Sequence, residues 1–257
     1  MKTVIVHLLR HGETAENALH IIQGQLDTQL NVNGQLQAQI IGQAMQDVPF
    51  THAFSSDAHR AADTARAVLQ YHPGVVLKPS TLLRERHMGI FQGTRVKKGW
   101  KPDSSVETKE DLLRRLMFWW QTEILSLVTS TSDVDVPAVV LVVSHGASLR
   151  TLVWDGLIPT GYARPEMTSL PHLYNTSVSS VAMVPPRNQT THSTGRCFDM
   201  GKLRISWPIQ RRWNRMQTTC KREMARHLRL RLNSILYNPP VVHRYSTLAS
   251  TRKQPHS

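Results

Sequence analysis

Two histidines stand in the same setting far apart in the chain. His11 follows Val4-Ile5-Val6-His7-Leu8-Leu9-Arg10 and precedes Gly12; His145 follows Ala138-Val139-Val140-Leu141-Val142-Val143-Ser144 and precedes Gly146. One histidine at the end of an apolar run is unremarkable, whereas two, each before a glycine, argue for one site. Arg10 adds a guanidinium fork, a shape that meets phosphoryl oxygens two at a time. Gly12 lets the backbone turn tightly and approach a ligand closely. Thr14, followed by Glu16 and Asn17, suits the start of a helix whose free N–H groups face an anion. The chemistry these residue types suggest is phosphate binding with an imidazole at its centre.

The elements that would position them can be read from periodicity. Val4 to Leu9 is a buried strand that delivers Arg10 and His11 to its carboxyl end, where α/β sheets place their ligands. Ala138 to Val143 is a strand buried on both faces. Between them, Asn31 caps a helix with Leu36, Ile40, Ile41, Ala44 and Met45 on one face. Ala53 to Ser56 forms a short strand, and a helix begun by Asp57 offers Ala61, Ala62, Ala65, Val68 and Leu69 for close packing. Arg60 falls in the first turn of that helix, where it opposes the dipole unless an anion lies nearby. Glu107 to Val128 is the strongest helix, with Leu112, Leu116, Trp119, Trp120 and Ile124 repeating at three and four as core. Leu149, Leu152 and Val153 continue as a helix on the sheet. Val178 and Val181 to Val184 form a further strand, with Leu203 to Trp207 as its edge partner.

Of the 31 Lys and Arg residues, residues 1–187 hold 17 against 16 acidic residues, so the net charge of +13 lies almost wholly in residues 188–257. There 14 basic residues face only Asp199 and Glu223. Basicity therefore says nothing about the catalytic body. Cys197 and Cys220, the only cysteines, also fall in that segment, so neither a disulfide framework nor a cysteine zinc site supports the body. No stretch is long enough to span a membrane, and Arg10 interrupts the apolar run that imitates a signal peptide. The expected setting is cytoplasmic, with nuclear access open through the basic tail. Pro208 to Leu236 scans as a basic amphipathic helix suited to an acidic surface, and Arg244 to Ser257 as a disordered end. The expected division is residues 1–207 as the catalytic domain and 208–257 as a basic extension.

Arg10-His11-Gly12-Glu13-Thr14 resembles the signature of the histidine phosphatase superfamily, in the branch with cofactor-dependent phosphoglycerate mutase, fructose-2,6-bisphosphatase and many small phosphatases. Further segments agree with it: Asp27, Leu30, Gly34, Gln37 and Ala38; Ser55-Ser56-Asp57 with Arg60; Leu83-Arg84-Glu85 with Gly89; and Ser144-His145-Gly146. The resemblance covers about residues 1 to 184. Together with the alternation of strands and helices it implies a three-layer α/β/α sandwich with a mostly parallel central sheet, phosphoglycerate mutase-like.

The resemblance further implies phosphomonoester hydrolysis through a phosphohistidine on His11, without a metal or other cofactor, on a small phosphorylated metabolite. Arg10, Arg60 and His145 would supply the charge opposite the phosphate, and nearby cations would keep His11 neutral. Glu85 would protonate the leaving oxygen and then activate water. Gly12, Glu13, Thr14, Asn17, Gln23, Gly24 and Gly146 complete the expected substrate-binding set, with Glu13 orienting loop groups. The segment from Arg95 to Thr108 is shorter than the insertion of the mutases and lacks its Arg-Arg pair, which favours phosphatase. The alternatives are mutase-type phosphotransfer, or a non-enzymatic protein that binds through its basic tail.

Overall fold

The computed structural model describes residues 3–95, 99, 101, 103–129, 136–165, 173–183 and 202–204. All of these lie within one compact unit, Met1–Trp213. The expected helix from Pro208 to Leu236, the disordered end and the lysines at 97 and 98 lie outside the described residues.

The strands are β1 (Val4–Arg10), β2 (His52–Ser56), β3 (Leu77–Ser80), β4 (Ala138–Ser144), β5 (Arg164–Pro165), β6 (Val178–Met183) and β7 (Lys202–Arg204). They form one sheet in the order β3-β2-β4-β1-β6-β7-β5. β3, β2, β4 and β1 run parallel, and β6 joins β1 antiparallel. β7 pairs antiparallel with β6, which places the start of the expected edge strand. The helices are α1 (Ala15–Ala18), α2 (Val32–Ala44), α3 (His59–Leu69), α4 (Lys109–Trp119), α5 (Ser126–Thr129) and α6 (Gly146–Thr151). A π-helical turn, Trp120–Leu125, joins α4 to α5, so the long helix runs on as its pattern predicts. Among the described residues no helix is long and apolar enough to cross a membrane.

The period of two along β4 divides its side chains between two cores. Val140 and Val142 pack with Val4, Val6 and Leu8 against Leu112, Leu116, Trp119 and Leu152. Val139, Leu141 and Val143 pack on the other face with Leu9 against Ile41, Met45, Ala61, Ala65 and Val68. That is the three-layer arrangement, with α2 and α3 below the sheet and α4 and α6 above it.

Two local expectations differ from the structure. The buried face of α2 consists of Gly34, Gln37, Ala38, Ile41 and Gly42, while Leu36, Ile40 and Ala44 are only half-buried. The reason is close approach: a Cβ on Gly34 would lie 1.9 Å from the Glu13 carbonyl oxygen, and one on Gly42 would lie 2.4 Å from that of Ala67. Asp57 does not begin α3. Its carboxylate is held by Arg84, and Asp27, from the loop before α2, accepts the His59 N–H at 2.8 Å in its place.

Candidate active site

The register of β1 against β4 sets the site. Arg10 pairs with Ser144, and the His11 N–H donates to the Ser144 carbonyl at 3.0 Å, so the two strands release their histidines side by side. The rings of His11 and His145 lie 5.1 Å apart, edge to face. Arg60 reaches them from the first turn of α3, which follows the neighbouring strand β2. A pocket of about 350 Å³ opens at these strand ends. Arg10, His11, Asn17, Gln23, Gly24, Arg60, Glu85 and His145 line it, together with Ile21, Ile22, Arg86, Met88 and Ala147.

His11, Arg60 and His145 are 3%, 1% and 0% exposed. Such burial of cationic or cation-forming groups is costly without partners, and here the partners are incomplete. Arg60 donates to the carbonyls of Leu26 and Gly24 at 2.6 and 2.9 Å, and Arg10 to that of Leu173. Among the described residues, the Nε of each arginine and both ring nitrogens of His145 have no partner. An anion with several oxygens would satisfy donors gathered in this way.

Burial holds His11 well below the usual imidazole range, aided by Arg60 and Arg10 and opposed by its bond to the Gly12 carbonyl. That bond joins Nδ1 to the Gly12 oxygen at 2.7 Å. A neutral ring with its proton on Nδ1 carries its lone pair on Nε2, which is the form a nucleophile needs. His145 is held low in the same manner, by burial first and then by Arg60, His11 and Arg10.

Glu85 stands at the start of α6. Its Oε2 accepts the Ala147 N–H at 3.0 Å, and its Oε1 accepts the Ser148 N–H and hydroxyl, each at 3.0 Å, and the Arg86 N–H at 2.8 Å. The helix N-terminus is a favourable place for a carboxylate. The remaining expected residues serve the frame. The Glu13 carboxylate accepts from Asn31 and Asn33, at 2.9 and 3.2 Å, and Thr14 caps α1 in a reciprocal pair with Asn17. Gly12 turns where a Cβ would meet the Gly34 oxygen at 2.6 Å, and Gly24 takes a φ of 53° that favours glycine. Gly12, Glu13, Thr14 and Gly146 are not part of the pocket wall; Gly146 begins α6 beside the Arg10 guanidinium.

Sequence reasoning did not single out three supporting groups. Asn175 donates to the His11 carbonyl at 3.0 Å and to Asn17 Oδ1 at 3.2 Å. Ser148 binds Glu85, as above. Arg115, half-buried on α4, donates to the carbonyls of Leu82, Arg84 and Glu85 at 2.7, 2.8 and 2.9 Å and pairs with Glu107 at 2.7 Å. Glu107 in turn accepts the His87 N–H at 2.9 Å, so the pair grips the chain on both sides of Glu85. An arginine on α4 and a glutamate eight positions earlier, just before the helix's Thr108 cap, gave no sign of this, because their targets come from another segment.

Known proteins resemble the chain as a whole. A probable phosphatase of Schizosaccharomyces pombe is 28% identical over 204 residues, covering 76% of this chain and 92% of its own. A crystal structure of phosphoglycerate mutase from Bacillus anthracis superposes with a TM-score of 0.58 at 26% identity, over 70% of this chain and 88% of that one. A mycobacterial glucosyl-3-phosphoglycerate phosphatase follows at 0.57 and 25%, over 72% and 92%. Residues 6–193, from within β1 to beyond β6, match the histidine phosphatase superfamily (branch 1), and the chain belongs to that superfamily.

Proposed function

We propose that this protein is a phosphatase that hydrolyses phosphomonoesters of small molecules through a phosphohistidine on His11. The observation that carries the reading is the His11 Nδ1 bond to the Gly12 carbonyl, in a ring that burial and two arginines keep neutral. It directs the Nε2 lone pair away from the backbone, among Arg10, Arg60 and His145, where a phosphoryl group would be held.

In the first step Nε2 attacks phosphorus and the bond to the ester oxygen breaks. Glu85, entering as the acid, gives that oxygen its proton, and the alcohol leaves. Glu85 as carboxylate then takes a proton from water; the resulting hydroxide attacks phosphorus, the P–N bond breaks, and inorganic phosphate departs with His11 neutral again. The arginine forks and His145 hold charge that shifts among the equatorial oxygens without moving themselves.

The test is a rapid quench with a 32P-labelled phosphomonoester, read for acid-labile, base-stable phosphate on His11 and for release of free phosphate. Release through such an intermediate supports the reading. Transfer of the label to a second organic acceptor in preference to water would replace it with mutase-type phosphotransfer.

A further inference from the structure

The loop between α1 and α2 touches both the arginine of the cradle and the backbone of Glu85, and Gln25 is the residue where the two contacts meet. The carbonyls on either side of it, those of Gly24 and Leu26, accept from Arg60 at 2.9 and 2.6 Å. Its side-chain Nε2 donates to the Glu85 carbonyl at 3.1 Å. Its own N–H donates at 2.7 Å to Oε1 of Gln92, which also takes the Met88 N–H at 3.4 Å. A backbone carbonyl only accepts and a backbone N–H only donates, so Gln25 must present its NH2 group and Gln92 its oxygen. The loop is fastened to the start of α3 a second time, where Asp27 accepts the His59 N–H at 2.8 Å.

Resting on the phosphatase reading, we infer that Gln25 is a positioning residue for the general acid: it ties Glu85 to the loop that Arg60 holds, and so keeps the carboxyl within reach of the ester oxygen of a phosphate seated in the cradle. The reason is distance. An acid must come within about 2.6 to 3.2 Å of the oxygen it serves, and an error on the order of 1 Å in such a placement is costly. The carboxylate's own bonds to the N–H groups of Ala147 and Ser148 register it on α6. The phosphate, in contrast, is located by Arg60 on α3. A carbonyl oxygen has two lone pairs, and that of Glu85 takes one bond from Arg115 at 2.9 Å and the other from Gln25. The second bond is the one that refers Glu85 to the segment in Arg60's grip. Gln25 is not part of the pocket wall, so it acts through Glu85 and not on the substrate.

The experiment compares para-nitrophenyl phosphate with para-nitrobenzyl phosphate, which present the same phosphate and differ by one methylene. The phenolate leaves readily without a proton, whereas the benzylic alkoxide needs one. The measured quantity is kcat/KM, which covers the steps up to departure of the leaving group and excludes hydrolysis of the phosphohistidine. Gln25→Met keeps the length of the side chain and removes its donor. The expected loss on the benzyl ester exceeds that on the phenyl ester by roughly three- to tenfold, the worth of one hydrogen bond of ordinary strength. A loss of phosphate binding falls on both esters alike and cancels in the ratio, so loosening of the loop as such does not produce the bias. Should that variant fail to fold, Gln92→Met, which removes the acceptor of the Gln25 N–H, decides the matter by a bias in the same direction. Equal losses on the two esters, no loss, or a greater loss on the phenyl ester in the folded variant overturns this inference and leaves the phosphatase reading standing. Release of phosphate from the phenyl ester alone by the wild-type protein does the same, since no acid would then be serving the benzylic oxygen. Release from neither ester overturns the phosphatase reading, and this inference with it.

Discussion

His11 and His145 end parallel neighbouring strands, precede glycines and are buried among the same arginines, yet they are wired differently. His11 has one nitrogen bonded to the Gly12 carbonyl, whereas among the described residues neither nitrogen of His145 has a partner. A fixed tautomer is what an attacking lone pair requires; an unfixed ring can turn either nitrogen toward a phosphoryl oxygen and donate to it when protonated. In the proposed mechanism the repeated strand–His–Gly pattern therefore supplies two rings for two tasks, and one carbonyl would decide which ring attacks. The sharpest way to break the comparison is to remove each ring in turn. His11→Ala should abolish turnover and covalent labelling together. His145→Ala should slow turnover by roughly 100- to 1,000-fold, the worth of one charge-stabilising donor, while label still accumulates on His11. Label persisting at normal stoichiometry in the His11→Ala protein would reverse the assignment.

Much of this was legible because the chemistry lies where local pattern is strong. An apolar run that stops at Arg10-His11-Gly12 or Ser144-His145-Gly146 announces a strand end, and Arg60 was conspicuous because a cation in a helix's first turn opposes its dipole. What escaped was contact between distant segments. The face of α2 is set by where glycines admit a neighbouring backbone, so small residues define it and the larger apolar ones lie at its margin. Asp27 caps α3 from 32 positions upstream of His59, and a helix-start rule based on neighbouring residues gave Asp57 that role instead. Asn175 reaches the His11 carbonyl across 164 positions, and no spacing in the chain encodes that.

Arg60 is common to both histidines, since its charge holds each of them low. Arg60→Ala should therefore cost the shared part of the site, about 2 to 4 kcal/mol of transition-state binding or roughly 30- to 1,000-fold in rate. Steady-state rates with an aryl phosphate would measure it, and activity within threefold of the parent would reduce Arg60 to a clamp on the loop carbonyls of Gly24 and Leu26.

Glu85 stands outside the histidine pair and is positioned by Arg115. Glu85→Gln should slow an alkyl phosphate, whose alkoxide needs a proton, by roughly 100- to 10,000-fold, and an aryl phosphate much less. Arg115→Lys keeps the charge but cannot span three carbonyls and a carboxylate. Its expected effect is smaller, on the order of tenfold, with the same leaving-group bias because the acid is displaced rather than removed. Equal losses on both esters would make Arg115 a fold-stabilising residue only.

The smallest effect concerns stability, and it tests whether the two histidines share an environment despite their different wiring. Burial and the charges of Arg10 and Arg60 lower both in the native state from an ordinary value of 6.5, and Arg115 acts on His145 as well. His7 is also lowered by burial. Below pH 6.5 the unfolded chain binds protons at these positions that the folded chain refuses, so stability must fall as pH falls through that range. Each histidine can contribute at most about 1.4 kcal/mol per pH unit. The carboxylates of Asp57 and Glu107 are lowered by their arginine partners, so they add their own loss only in the more acid range where unfolded carboxylates take up protons. Urea unfolding at pH 7.5, 6.5 and 5.5 isolates the histidine window. His145→Gln and His11→Gln should each flatten the fall by a similar amount, because each removes one refused proton, although their effects on catalysis differ widely. A slope unchanged in the His145→Gln protein would mean that this ring takes up its proton in the folded state. Its place beside the phosphoryl group would then be that of a standing cation, which separates it from His11 more sharply still.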